Sequence, residues 1–165
     1  MKQHHKLTLG DCGVVRNAVI ELDGITVLCG YNDTGKSAVC REVVKTAYRA
    51  RKINVGELGD TTLFSGETLV IECPENNAHP QRQVEIAKKI ALACRNEGVR
   101  IFMTTYSTYI LRGIEVFSQE YELETRCHYY KTEPINDDET LFRLRNVDSE
   151  TKLIYHDFYM PFEEL

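Results

Sequence analysis

Gly30-Tyr31-Asn32-Asp33-Thr34-Gly35-Lys36-Ser37 places two glycines, a lysine and a serine at the spacing of a phosphate-binding loop. Such a loop needs a strand before it and a helix after it, so this octapeptide constrains the fold more than any other segment. The glycines allow successive backbone N–H groups to converge on one phosphate chain. Lys36 would reach the outer phosphates, and the Ser37 hydroxyl would sit on Mg²⁺. Gly24–Cys29 before the loop is a short apolar run of buried-strand type. Residues 37–50 read as a helix, whose free N-terminal N–H groups and dipole favour an anion. The groups expected around a bound nucleotide are Gly30, Asn32, Asp33, Thr34, Gly35, Lys36, Ser37 and Ala38.

A chain of 165 residues is one domain with room for a substantial core. Its 42% hydrophobic and 27% charged residues describe a soluble globular protein. A net charge of −5 argues against a uniformly basic nucleic-acid-binding body. No apolar stretch approaches the ~20 residues that span a bilayer, and Met1–Lys6 leads into no signal-peptide core, so a cytoplasmic protein is expected. The six cysteines form no C-x-x-C pair, and several fall among apolar neighbours in expected strands or helices, where free Cys behaves as a small hydrophobe. His4-His5 reads as a solvated terminus rather than a metal site.

Two strands are expected before the loop strand, over 6–11 and 17–22. The helix after Lys36 carries Val39, Val43, Val44 and Ala47 on an apolar stripe. Arg41, Lys45, Arg49 and Lys52 recur at helical spacing on another face, a row that either is solvated or tracks the phosphate backbone of a nucleic acid, a partner that the net charge does not indicate. Residues 53–67 read as a loop, and Thr68–Glu72 as a second buried strand ending in a carboxylate. Pro80 suits the first turn of a helix that runs to about Glu97, with Val84, Ala87, Ile90, Ala91 and Cys94 as its apolar face and Gly98 as its stop. Residues 99–105 form a third buried strand, followed by a short helix over 108–113. Segments 126–131, 140–145 and 152–157 read as strands in a tail separated by polar turns. Alternating strands and helices imply an α/β fold. Its sheet is largely parallel, with helices on both faces and antiparallel strands added at both ends.

A carboxylate at the carboxyl end of a buried strand is where an open α/β sheet places ligand-binding groups. Beside a phosphate loop, Glu72 would hold Mg²⁺ together with Ser37. These elements, in this order, resemble the P-loop NTPase fold of ABC-type ATPases, specifically the RecF/SMC/OLD group. Lys6–Leu9 and Val19–Asn32 are similar to that family's two-strand lead-in to a G-x-N-x-x-G-K-S loop. Glu72-Cys73-Pro74-Glu75 followed by His79-Pro80 is similar to its Walker B segment, and Ile101–Ser107 to its strand ending in Thr-His-Ser. The resemblance covers roughly the first 115 residues and implies ATP and Mg²⁺ as cofactors.

The departures bear on catalysis. Cys73 stands where the family has its water-activating Glu, and Tyr106 where it has a histidine that contacts the γ-phosphate. Glu75 is the nearest carboxylate left to position water, and Tyr106 is a neutral hydrogen-bond donor at the switch position. Lys36 and Glu72 are 72 − 36 = 36 positions apart, too close to hold the family's helical lobe and coiled-coil insertion. Phe64-Ser65-Gly66-Glu67 reads as a turn rather than a signature motif. Three functions follow: an ATPase domain with weak or partner-dependent turnover, a non-catalytic nucleotide-sensing or structural subunit, and a different P-loop enzyme such as a kinase. The partners expected are a nucleotide and either another protein or a second copy of the chain, and not a membrane. No Asn-Lys-x-Asp segment is present to read guanine.

Overall fold

The structure, a computed structural model, describes residues 5–163, with side chains to residue 160. The Met1–His4 stretch lies outside the described residues; His5, read above with it as a solvated terminus, is instead half-buried, its Nδ1 3.2 Å from the Arg100 guanidinium and its carbonyl accepting from the Leu22 N–H (2.8 Å). Eight strands form one mixed sheet: β1 (Lys6–Cys12), β2 (Val15–Glu21), β3 (Ile25–Cys29), β4 (Ala50–Lys52), β5 (Thr68–Glu72), β6 (Arg100–Thr105), β7 (Cys127–Pro134) and β8 (Phe142–Asn146). Four helices accompany them: α1 (Lys36–Thr46), α2 (Pro80–Glu97), α3 (Thr108–Glu120) and α4 (Lys152–Glu163). The strand order is β1-β2-β8-β7-β3-β6-β5-β4. β7-β3-β6-β5-β4 pair in parallel, and β1-β2 and β7-β8 pair antiparallel.

All five residues of β3 are buried, because both faces of the sheet are covered. Strand alternation sends Ile25, Val27 and Cys29 into one core, with Leu69, Ile71, Ile101 and Met103 and the apolar sides of α2, α3 and α4. Leu28, Val70 and Phe102 face the other core, where Val39, Cys40 and Val43 of α1 meet Leu9, Val15 and Ile20 of the β1-β2 hairpin. That hairpin joins the sheet through one parallel bridge, Val15 to Phe142, and closes over α1.

The connections locate the ligand crevice. From β3 the chain crosses through α1 to β4 at one edge, then returns through β5, α2, β6 and α3 to β7 on the far side of β3. Right-handed crossovers running in opposite directions place their helices on opposite faces. The reversal opens a crevice beyond the carboxyl end of β3.

Four further expectations need correction. Helix α1 ends at Thr46 rather than Ala50, so Arg49 and Lys52 do not extend a basic row with Arg41 and Lys45. Residues 50–52 instead form an edge strand on β5. Val84 is 39% exposed, and Ile86 takes its place on the buried face of α2. α3 continues past Gly113 to Glu120. A Cβ there would lie 2.6 Å from the Ala87 Cβ, so this glycine allows close helix packing instead of ending the helix. Residues 152–157, expected as a strand, begin α4, which buries Ile154 against the sheet.

Candidate phosphate-binding site

The loop leaves β3 at Gly30, where a side chain has no room: a Cβ would come within 2.0 Å of Thr132 Oγ1 on β7. Thr132 Oγ1 donates to Thr34 Oγ1 (2.9 Å), and Thr34 Oγ1 donates to the Tyr31 carbonyl (2.7 Å). Thr34 is therefore turned inward as a brace, and its backbone alone is offered to a ligand. Asp33 (φ 62°) and Gly35 (φ 91°) both lie in the left-handed region. Alternation of this kind turns backbone N–H groups toward a common concavity. Gly35 is the N-cap of α1, and a Cβ there would meet Val15 Cγ2 at 2.6 Å and Val14 Cγ2 at 3.0 Å. The tip of the β1-β2 hairpin thus rests on the loop.

The Lys36 ammonium donates to the Gly30 carbonyl and to the Tyr31 carbonyl (3.2 Å), folded across the loop. A phosphate oxygen is a stronger acceptor for an ammonium than a neutral carbonyl, so these contacts hold Lys36 ready for exchange. Ser37, the next residue, donates its hydroxyl to Glu72 Oε1, joining the first turn of α1 to the end of β5. The other carboxylate oxygen, Oε2, accepts from Lys52 Nζ at 2.7 Å. Partial burial pushes the Glu72 carboxyl up. The hydrogen bonds from Lys52 and Ser37 and the nearby charges of Lys52 and Arg41 outweigh that effect and hold it below the usual carboxylate range. The same pairing raises the Lys52 ammonium, so both partners stay ionised. A hydroxyl and a carboxylate side by side are the hard oxygen donors that suit Mg²⁺, and Ser37 and Glu72 would hold it here. These groups line an open cleft of about 620 Å³, with Val14, Asn32, Asp33, Gly35, Lys36, Ala38, Arg41, Cys73 and Thr104 around it.

The segment that follows Glu72 is built differently. Cys73 turns the chain out of β5 at φ 47°, its N–H donating to the Thr104 carbonyl (3.1 Å). Burial pushes its thiol up, against the thiolate. Glu75 is 5% exposed and both of its oxygens are engaged: one accepts from Thr105 Oγ1 (2.9 Å), the other from the Tyr106 N–H (2.8 Å). The Tyr106 hydroxyl donates to Asn76 Oδ1 (2.8 Å), and its pKa is raised, foremost by burial. His79 caps α2 by accepting from the Gln81 N–H (3.3 Å), and Ser107 caps α3 while donating to Gln83 Oε1.

The structure therefore brings together Gly30, Asn32, Asp33, Gly35, Lys36, Ser37, Ala38 and Glu72. It sets Glu75 and Tyr106 in a separate bonded segment. Phe64–Glu67 is a turn at the amino end of β5, closed by the Glu67 N–H donating to the Phe64 carbonyl (3.1 Å), at the other end of the strand from Glu72. Sequence reasoning missed Lys52 as the cation on Glu72 and Val14 as part of the cleft. No local signal marks either one, because strand pairing brings in the first and hairpin folding the second. No protein-family model matches this chain, and no curated protein is significantly similar to it.

Proposed function

We propose that the chain is a compact nucleotide-binding domain of the ABC-type P-loop kind that holds Mg·ATP at Gly30–Ser37 and turns it over slowly or only with a partner. The contact between Ser37 and Glu72, 35 residues apart in sequence, carries the reading. It joins the hydroxyl that follows the loop lysine to the acid at the end of the neighbouring buried strand. The backbone amides from Asp33 to Ala38 hold phosphate oxygens, and Lys36 leaves its carbonyls for the outer phosphates. Ser37 and Glu72 would hold Mg²⁺, which would supply charge neutralisation for the phosphates.

Hydrolysis needs an oriented water and donors for the charge of the transition state. Glu75 has both oxygens committed within the protein, and the Cys73 thiol is not a base for water. Tyr106 offers one neutral donor. This favours a second reading for the same site, nucleotide sensing without turnover, which differs from the first only in whether a partner restores the missing groups.

Equilibrium titration of the full chain with Mg·ATP tests the reading. Native protein is expected to bind, and Lys36→Ala to bind about 10- to 100-fold more weakly, the effect of losing charge-assisted hydrogen bonds. Equal affinity in the two proteins would refute it.

A further inference from the structure

The acid at the end of β5 already carries a cation of the protein's own. β4 pairs with β5 in parallel register, with Lys52 opposite Val70, and the Ile53 N–H donates to the Val70 carbonyl (3.0 Å). Alternation along this short edge strand sends its neighbours to opposite faces. Arg51 is held away from the cleft, its guanidinium donating to Glu67 Oε1 (2.9 Å) and to the Thr62 carbonyl (3.2 Å). Ile53 is buried in the core beneath α2 and α3. Lys52 therefore shares the α1 face with Val70 and, two residues on, with Glu72. On that face it stands diagonally behind the carboxylate, a separation that a long side chain bridges.

The cleft carries positive charge of its own. Lys36 and Arg41 line it, and Lys52 reaches in through Glu72, against the carboxylates of Asp33 and Glu72. Lys52 is the group on Glu72 Oε2, at 2.7 Å, while Ser37 occupies Oε1. The Lys52 side chain is 59% exposed, so the pair is a rim contact, open to exchange with a competing cation.

We propose that Lys52 is a resident counter-cation for Glu72. It supplies part of the charge neutralisation that Mg²⁺ would otherwise provide, so that the cleft takes a nucleoside triphosphate with little dependence on divalent metal. This rests on the nucleotide reading above and specifies how the site treats its metal. Without Mg²⁺, the ammonium keeps Glu72 from opposing the polyphosphate. With Mg²⁺, Lys52 and the hydrated metal compete for the same carboxylate oxygen. Lys52 acts through Glu72 and is a positioning residue.

The test compares ATP dissociation constants in excess Mg²⁺ and in EDTA by titration calorimetry, for native protein, Lys52→Met, Lys52→Arg and Glu72→Gln with and without Lys52→Met. The ratio of the EDTA value to the Mg²⁺ value is expected to be about tenfold or less in native protein and in Lys52→Arg. In Lys52→Met the ratio should rise at least tenfold, chiefly through weaker metal-free binding. In the Glu72→Gln background, Lys52→Met should leave it unchanged, because the coupling runs through the carboxylate. Lys52→Gln removes the same charge should methionine disturb β4. A ratio in Lys52→Met and Lys52→Gln within twofold of native, in proteins that bind ATP, would overturn the proposal alone. So would a native ratio of a thousandfold. Failure of native protein to bind ATP in either buffer would overturn the nucleotide reading and this inference with it.

Discussion

The loop wall of the cleft and the Glu75–Tyr106 segment beside it use the same kinds of residue for opposite purposes. On the loop wall, Lys36, Ser37 and Glu72 bond to one another or to loop carbonyls, through contacts that a phosphate or a metal can take over. In the Glu75–Tyr106 segment, Glu75 is buried and accepts from Thr105 and Tyr106, so it ties two stretches of chain together and burial closes it to water. Two carboxylates three residues apart are thus divided by environment, one open to exchange and the other structural. A carboxylate near a phosphate loop becomes a candidate base only if water can reach its unused lone pairs.

That contrast predicts that substitutions in the Glu75–Tyr106 segment move stability, and substitutions on the loop wall move affinity. The largest effect belongs to Glu75→Ala, which leaves a buried hydroxyl and a backbone N–H without acceptors. Chemical denaturation should show a loss of about 2–4 kcal/mol, with ATP affinity of the folded protein changed by less than about threefold. The conservative Glu75→Gln should leave whatever slow turnover the native chain has within about threefold. A hundredfold fall in turnover with unaltered melting would instead assign Glu75 to the attacking water.

On the loop wall, Ser37→Ala should reverse the pattern. Its melting temperature should stay within about 2 °C of native, while most of the gain in ATP affinity on adding Mg²⁺ is lost, the effect of one lost polar ligand. An unchanged Mg²⁺ effect would mean that the hydroxyl does not serve the metal.

The smallest effect on binding comes from the far end of the sheet. His128, near the start of β7, bonds Asp148 through Nδ1 (2.9 Å) and Asp23 through Nε2 (2.8 Å), with Glu21 3.3 Å from Nδ1. The Asp148 hydrogen bond first, opposed by burial and reinforced by Asp23, pushes the imidazole up to about 9. A raised pKa stabilises the fold fully below the unfolded value of roughly 6.5, and that contribution is lost as pH rises through about 9. Native stability should therefore fall by about 1–2 kcal/mol across this window, allowing for solvent at the aspartates, and His128→Gln should lack the slope. ATP affinity should not follow it. A parallel pH dependence of binding would show that the two ends of the sheet are coupled.

The centre of the fold was legible in the sequence because β3, β5 and β6 are continuous apolar runs bounded by turn residues. The loop was legible because its chemistry is local. Errors fell where long-range packing decides the outcome. Residues 152–157 form too short an apolar stretch to separate strand from helix by period, and burial of Ile154 against the sheet settles it. Gly113 reads as a helix stop until Ala87 is known to face it. Lys52 reads as a helical cation because the register of β4 on β5 cannot be seen from spacing. Glu75 was identifiable as a nearby carboxylate, but its two hydrogen-bond donors come from residues 30 and 31 positions away.

The central claim, a loop built to hold nucleotide within surroundings that lack a free base, is tested most directly by one single-turnover measurement. Protein in excess over ATP, with Mg²⁺ present, is filtered to count bound nucleotide and quenched at intervals to identify it. The account predicts that ATP is bound and recovered intact over minutes. Hydrolysis at the roughly 1–100 per second of competent phosphoryl-transfer enzymes, or no bound nucleotide at all, would contradict it.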